Sequence, residues 1–201
     1  MSARLVVLVS GAGTNLQALL DAGADPAYGA QVVAVGADRI GSAAVARASA
    51  AGVPTFELPI SAYADRDAWD QSLCDQVAAH EPDLVVSAGF MKLAGQAFLS
   101  RFGGRYVNTH PALLPAFPGM HAPQDALDHG VKVTGATLFF VDAGVDSGPI
   151  VAQVAVGVED GDTTETLHGR IKSAERVMLV EWVGRLVRNG YLIEGRKVTV
   201  L

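Results

Sequence analysis

The chain has 201 residues, half of them hydrophobic, a formal net charge of −6 and one cysteine, Cys74. That length fits one domain with a sizeable core. The acidic balance, with no run of like charges, argues against the basic face that nucleic-acid binding requires. A lone cysteine rules out an internal disulfide and fits a reducing cytoplasm.

Met1 to Ser10 is apolar but too short for a signal peptide, and no run of ~18 apolar residues predicts a membrane span. Leu5 to Val9 is an unbroken β-rich run, as in a strand covered on both faces. Asn15 to Ala22 reads as a helix, Val32 to Val35 as a strand, Ser42 to Ala51 as a helix and Thr55 to Leu58 as a strand. Asp65 to His80 is a charged amphipathic helix closed by Pro82, and Leu84 to Ser87 is a fourth strand. This alternation implies parallel strands joined by right-handed helical crossovers.

The second half has a different rhythm. Tyr106 to Asn108 is a short strand, followed by a proline-rich loop from Pro111 to Pro123. Val133 to Val141 and Ile150 to Val158 read as paired strands, Thr163 to Arg188 as a long helix ending near Asn189-Gly190, and Val198 to Leu201 as a last strand. The expected architecture is α/β, an open, mostly parallel twisted sheet with antiparallel strands added in the C-terminal half. Ligands in such sheets sit beyond the carboxyl ends of the strands.

Three blocks follow strands and are expected to meet there. Ser10-Gly11-Ala12-Gly13-Thr14-Asn15 joins the first strand to the first helix. Its glycines let the backbone approach a ligand, and the amides and dipole of the helix start favour an anion. It lacks the Lys-Ser/Thr of a nucleotide P-loop and the third glycine of a dinucleotide fingerprint. An ordinary turn capped by Thr14 or Asn15 has the same composition.

In Asn108-Thr109-His110-Pro111, extended backbone puts Asn108 and His110 on one side, a neutral donor beside a titratable one. A strand-end histidine satisfied by backbone is the plainer reading of that block alone. Asp142 and Asp146 flank a glycine turn in Asp142-Ala143-Gly144-Val145-Asp146-Ser147-Gly148-Pro149, a composition that any loop can have. The block gains chemical meaning if one carboxylate faces His110, where it favours the protonated ring. A metal site from His110, His121 and Asp146 has no compact ligand spacing behind it, and no metal is expected. Phe139-Phe140, Trp69, Tyr63 and Cys74 read as packing.

Together the blocks resemble the folate-dependent glycinamide ribonucleotide formyltransferases of purine biosynthesis. The likeness runs through Val9 to Gln17, Ser87-Ala88-Gly89-Phe90-Met91-Lys92-Leu93, Asn108 to Gly119 and Asp142 to Pro149, and covers nearly the whole chain. The His-Pro-x-Leu-Leu-Pro part is shared by the wider formyltransferase superfamily. The resemblance implies a single Rossmann-like formyltransferase domain, with a nucleotide-binding half over about residues 1–100 and a folate-binding, catalytic half over about 101–201.

It also implies formyl transfer from 10-formyltetrahydrofolate, as co-substrate, to the amine of 5'-phosphoribosylglycinamide. Asn108, His110 and Asp146 are its implied catalytic residues. Gly13, Thr14 and Asn15 with Lys172, Ser173, Ala174 and Glu175 would bind the ribonucleotide. Arg66, Met91, Lys92, Leu93, Ala94 and Asn108 with Val141, Asp142, Ala143, Gly144, Val145 and Asp146 would bind folate. The implied partners are small molecules only, with no nucleic acid and no membrane, in the cytoplasm; a homodimer is left open.

The chain departs from the family pattern at Pro123 and Phe139, where histidines are common, at Lys92 for arginine and at Arg176 for histidine. Three alternatives remain on the same scaffold. A formyltetrahydrofolate hydrolase would carry a further N-terminal domain, and a methionyl-tRNA formyltransferase a further tRNA-binding domain. A non-catalytic folate or nucleotide sensor would tolerate loss of His110 or Asp146. The Val141 to Asp146 loop, with little apolar content, is expected to order on ligand binding.

Overall fold

The structure is a computed structural model describing residues 2–201. In chain order its elements are β1 (Ala3–Val9), α1 (Thr14–Gly23), β2 (Ala30–Ala37), α2 (Ala43–Ala50), β3 (Thr55–Glu57), α3 (Arg66–Ala78), β4 (Leu84–Ser87) and α4 (Gln96–Phe102). There follow β5 (Tyr106–His110), α5 (Ala122–Asp128), β6 (Val133–Phe140), β7 (Ile150–Gly157), α6 (Thr164–Asn189), β8 (Tyr191–Glu194) and β9 (Lys197–Val200). The strands form one nine-stranded sheet in the order β3-β2-β1-β4-β5-β6-β7-β9-β8. Strands β1 to β5 pair in parallel, β5-β6-β7 and β8-β9 antiparallel, and β7 meets β9 in parallel at Ile150 and Lys197.

Both faces of the sheet are covered, which is why β1 is apolar without alternation. Leu5, Val7 and Val9 point to one face, where they join Leu16, Leu19, Ile171, Leu179 and Val183 of α1 and α6. Val6 and Leu8 point to the other and join Trp69, Leu73 and Val77 of α3 and Phe98 and Phe102 of α4. Three helix starts carry side-chain caps: Ser42 Oγ accepts from Val45 N–H, Asp65 Oδ1 from Ala68 N–H, and Thr163 and Thr166 form a reciprocal capping box at the head of α6.

The chain passes from β1 outward to β2 and β3, then returns to the other side of β1 as β4. This reversal opens a crevice at the carboxyl ends of β1 and β4, the usual ligand position in such sheets. Among the described residues no helix is long and apolar enough to cross a membrane.

The sequence-predicted elements lie within two residues of those observed, with three exceptions. Helix α4 is additional. Pro123 begins no loop exit but sits in the first turn of α5, where a missing N–H costs nothing. The last strand is half of a hairpin, β8-β9. One inference also needs correction. The third block follows a strand, but β6 runs antiparallel to β5 and ends at the level of Val107, away from the carboxyl edge. The β6-β7 loop reaches that edge only by folding back. Gly148 permits the return, since a Cβ there would lie 1.7 Å from Phe140 O.

Candidate active site

The loop after β1 is shaped from behind by α2. Gly11 O accepts from Ala44 N–H (3.1 Å), Ala12 O from Arg47 Nε–H (2.9 Å) and Gly13 O from Gln17 N–H (2.9 Å). Gly13 has φ 73°, and a Cβ there would sit 2.6 Å from Ala44 Cβ, so only glycine fits. With its carbonyls drawn back and no side chain capping α1, the loop presents the free amides of a helix start, which favours an anion. Arg47 was not singled out in the sequence; its one signal is being the only cation in α2.

Asn15 does not turn its carboxamide to that anion position. Its Nδ2 donates to Glu175 Oε1 at 2.5 Å, so its backbone N–H is what it offers the loop. Glu175 is buried and also accepts from Thr109 Oγ1 at 2.8 Å. Of the α6 residues expected at the ribonucleotide site, Glu175 alone bonds to the other blocks. Ser173 Oγ donates back to Gly169 O, Ala174 packs on the core, and Lys172 is exposed. His168, one turn before Lys172, is pushed below the usual histidine range by burial and then by the Lys172 charge.

Strand β5 carries Asn108 and His110, two of the residues expected to be catalytic. Asn108 is half-buried, and its carboxamide has no protein partner among the described residues. His110 is buried, with Nε2 2.7 Å from Phe117 O and Nδ1 3.3 Å from Asp146 Oδ2. Carbonyl and carboxylate oxygens only accept, so each ring nitrogen faces an acceptor. Two non-glycine residues in the left-handed region hold these acceptors in place, Phe117 at φ 52° and Asp146 at φ 50°. Asp146 Oδ2 also accepts from Gly119 N–H at 2.8 Å, tying the β6-β7 loop to the proline loop. That proline loop is pinned to the sheet: Thr137 Oγ1 donates to Ala112 O and accepts from Leu114 N–H, and Gln153 Nε2 donates to Leu114 O.

The segment after β4 is clamped at each step. Met91 N–H donates to Ser10 Oγ (2.8 Å), and Lys92 Nζ pairs with the buried Asp38 (3.6 Å). Arg66 donates to Leu93 O while lying over the Trp69 ring at 4.3 Å. Ala94 packs on the second core, and the buried Asp70 carboxylate accepts from Gly95 and Phe98 N–H. Met91 and Leu93 leave apolar side chains exposed, as Val145 does on the β6-β7 loop. A cavity of about 330 Å³ opens beside that loop, lined by Val141, Asp142 and Ala143 with Leu99, Phe140 and Ile193. Gly144 N–H and Ser147 Oγ both donate to Asp142 Oδ1, closing the turn that carries Val145 and Asp146.

A family model for formyl transferase matches residues 3–183. The chain belongs to the formyl transferase family. Within that family it is 57% identical over 198 residues to phosphoribosylglycinamide formyltransferase of Mycobacterium tuberculosis (strain H37Rv), covering 98% of this chain and 91% of the relative. It is 35% identical to the Escherichia coli (strain K12) phosphoribosylglycinamide formyltransferase, covering 96% of this chain and 95% of that one. Among solved structures, glycinamide ribonucleotide transformylase 1 from Symbiobacterium toebii superposes with a TM-score of 0.96 at 44% identity, over 100% of this chain and 94% of that one.

The four positions expected to depart from the family pattern have the following surroundings. Phe139 is buried core and pairs with Asn108 across the β5-β6 ladder. Pro123 is buried at the start of α5, Arg176 donates to Ser173 Oγ, and Lys92 holds Asp38. His121 is exposed and hydrogen-bonds to neither His110 nor Asp146. Among the described residues no group of three His, Cys, Asp or Glu side chains is arranged to hold a metal ion.

Proposed function

We propose that this chain transfers the formyl group of 10-formyltetrahydrofolate to the primary amine of 5'-phosphoribosylglycinamide, forming the formylglycinamide ribonucleotide of de novo purine biosynthesis. The observation that carries the reading is the 3.3 Å approach of Asp146 to His110, with Asn108 on the same side of β5 and the anion-favouring loop beside them. The phosphate sits on the amides of Gly13, Thr14 and Asn15. The segment from Lys172 to Glu175 completes the ribonucleotide site, with Glu175 toward the ribose or amine. Met91 to Ala94 and Val141 to Asp146 hold the pterin largely through backbone groups. Arg66 offers its remaining N–H groups to a folate carboxylate.

The amine attacks the formyl carbon, a C–N bond forms, and the carbonyl oxygen becomes an oxyanion. Asn108 Nδ2–H and His110 N–H stabilise it, a donor role worth roughly 2.7–4 kcal/mol each in other enzymes. The His110 proton shared with Phe117 O is the one in reach; exchanging a neutral carbonyl for a charged oxygen strengthens that bond. The bond from the formyl carbon to the folate nitrogen then breaks. The proton lost by the attacking nitrogen reaches the leaving nitrogen with help from His110 and Asp146. No covalent enzyme intermediate is needed.

The test mixes pure protein with both substrates and follows formylated ribonucleotide by mass spectrometry, beside a control without ribonucleotide. Product that needs both substrates and vanishes in His110→Ala, with ligand binding retained, supports the reading. Formate release at the same rate in the control would replace it with a hydrolase, and unchanged product in His110→Ala would refute the assigned chemistry.

A further inference from the structure

Alternation along β5 sends Thr109 to the opposite side from Asn108 and His110, toward the face covered by α6. Its hydroxyl donates to Glu175 Oε1 at 2.8 Å, the oxygen that also accepts from Asn15 Nδ2 at 2.5 Å. Glu175 is buried, with only 7% of its surface exposed, and no ion pair among the described residues offsets its charge. Oε2 has no hydrogen-bond partner, yet it is not among the sealed, unpartnered atoms. It therefore keeps some contact with solvent. One carboxylate thus links three segments far apart in sequence: the glycine loop, β5 and α6. Asn15 Oδ1, by contrast, is sealed without a partner, and the carboxamide is held by its Nδ2 donating to Glu175.

We infer that Thr109 is a positioning residue for the ribonucleotide substrate: with Asn15 it pins Glu175 Oε1, so that Oε2 is aimed at a substrate N–H or O–H. This rests on the reading of the site as one for a phosphoribosylated amine. A carboxylate oxygen holding two donors cannot rotate without breaking both, so the aim of Oε2 is fixed before substrate arrives. The same strand delivers His110 to the reacting carbon on its other side, so β5 registers the substrate to the chemistry in a single step of the chain.

The test compares Thr109→Val, which keeps the β-branched shape and removes the hydroxyl, with Thr109→Ser, which keeps the hydroxyl. Calorimetry reads the Kd for 5'-phosphoribosylglycinamide and for tetrahydrofolate, and steady-state kinetics separates KM from kcat. Thr109→Val should weaken ribonucleotide binding roughly tenfold, from the loss of a hydrogen bond to a charged group. It should leave folate binding within about twofold, and Thr109→Ser should bind as wild type. In a Glu175→Gln background, Thr109→Val should add less than about twofold, because the pinned charge is already gone.

Normal ribonucleotide binding by Thr109→Val, equal loss for folate, failure of Thr109→Ser to restore binding, or a full added loss in the Glu175→Gln background would each overturn the assignment. If wild type binds the ribonucleotide but makes no formylated product, the functional reading fails while the Thr109 binding result still decides this one. If wild type does not bind the ribonucleotide, both fail.

Discussion

Asp146→Asn isolates the charge that faces His110. The two groups lie 3.3 Å apart, with side-chain exposures of 5% and 14%. At an effective dielectric of ~20, unit charges at that distance interact by about 5 kcal/mol. Residual solvent contact trims this to about 3–4 kcal/mol. The substitution disturbs little else. Asparagine tolerates the left-handed φ of 50°, and its Oδ1 can keep the bond from Gly119 N–H. Gly119 N–H and His110 Nδ1 meet the same oxygen, Asp146 Oδ2, so the asparagine Oδ1 in that place keeps both contacts and only the negative charge is lost. If that interaction belongs to the transition state, kcat/KM falls about 10²–10³-fold, since 1.36 kcal/mol is a factor of ten. The midpoint of urea unfolding should stay near wild type. Asp146→Ala should lose activity and also about 1–3 kcal/mol of stability, because Gly119 N–H loses its acceptor and alanine is strained at that φ. Steady-state formyl transfer with both substrates varied, beside urea melts, reads all of this. Asp146→Asn with kcat/KM within threefold of wild type would refute the reasoning.

Arg47→Ala frees Ala12 O and loosens the glycine loop; KM for the ribonucleotide should rise about 5–10-fold with KM for folate unchanged, measured by steady-state kinetics. Asp70→Ala strands the N–H groups of Gly95 and Phe98, so stability should fall by about 2–4 kcal/mol in chemical denaturation, and folate KM should rise as Met91 to Ala94 lose their anchor. The carboxyl of Asp162 is held down to about 2, chiefly by the hydrogen bond from Arg170. Its folded value lies below its unfolded one, so its stabilisation is complete above about pH 4 and is lost as pH falls through about 2; acid melts of Asp162→Asn should lack that part of the slope. Hydrogen exchange at Val141 to Asp146 should slow when folate is added, and equal protection with and without it would count against ordering of that loop.

What the sequence made legible was whatever is written locally. The apolar run of β1, the helices read from Ser42 and from Asp65 and the spacing of Asn108 and His110 all act over a few residues, and each is found within a residue or two of its reading. Helix α4 was missed because its amides are satisfied by Asp70, a residue of another helix, and its own start offers only Gly95. Helix α5 was hidden because Pro123 reads as loop until its place in a first turn is known. The pairing of His110 with Asp146 was anticipated, but the argument that every block follows a strand to the same edge fails for β6. There the fold-back of the loop does the work. Thr109 and Phe117 carry no composition signal and Arg47 only that of a lone cation in α2, since an ordinary threonine in a strand, an exposed arginine and a loop carbonyl acquire roles only through tertiary contact.

The most direct test follows a ¹³C-labelled formyl group by NMR, using 10-formyltetrahydrofolate, 5'-phosphoribosylglycinamide and either wild type or Asn108→Ala/His110→Ala. The wild-type signal should move from the folate nitrogen to the glycinamide nitrogen without passing through free formate, and the double variant should leave it in place. Label collecting as formate whether or not the ribonucleotide is present, or moving as fast in the double variant, would contradict the account.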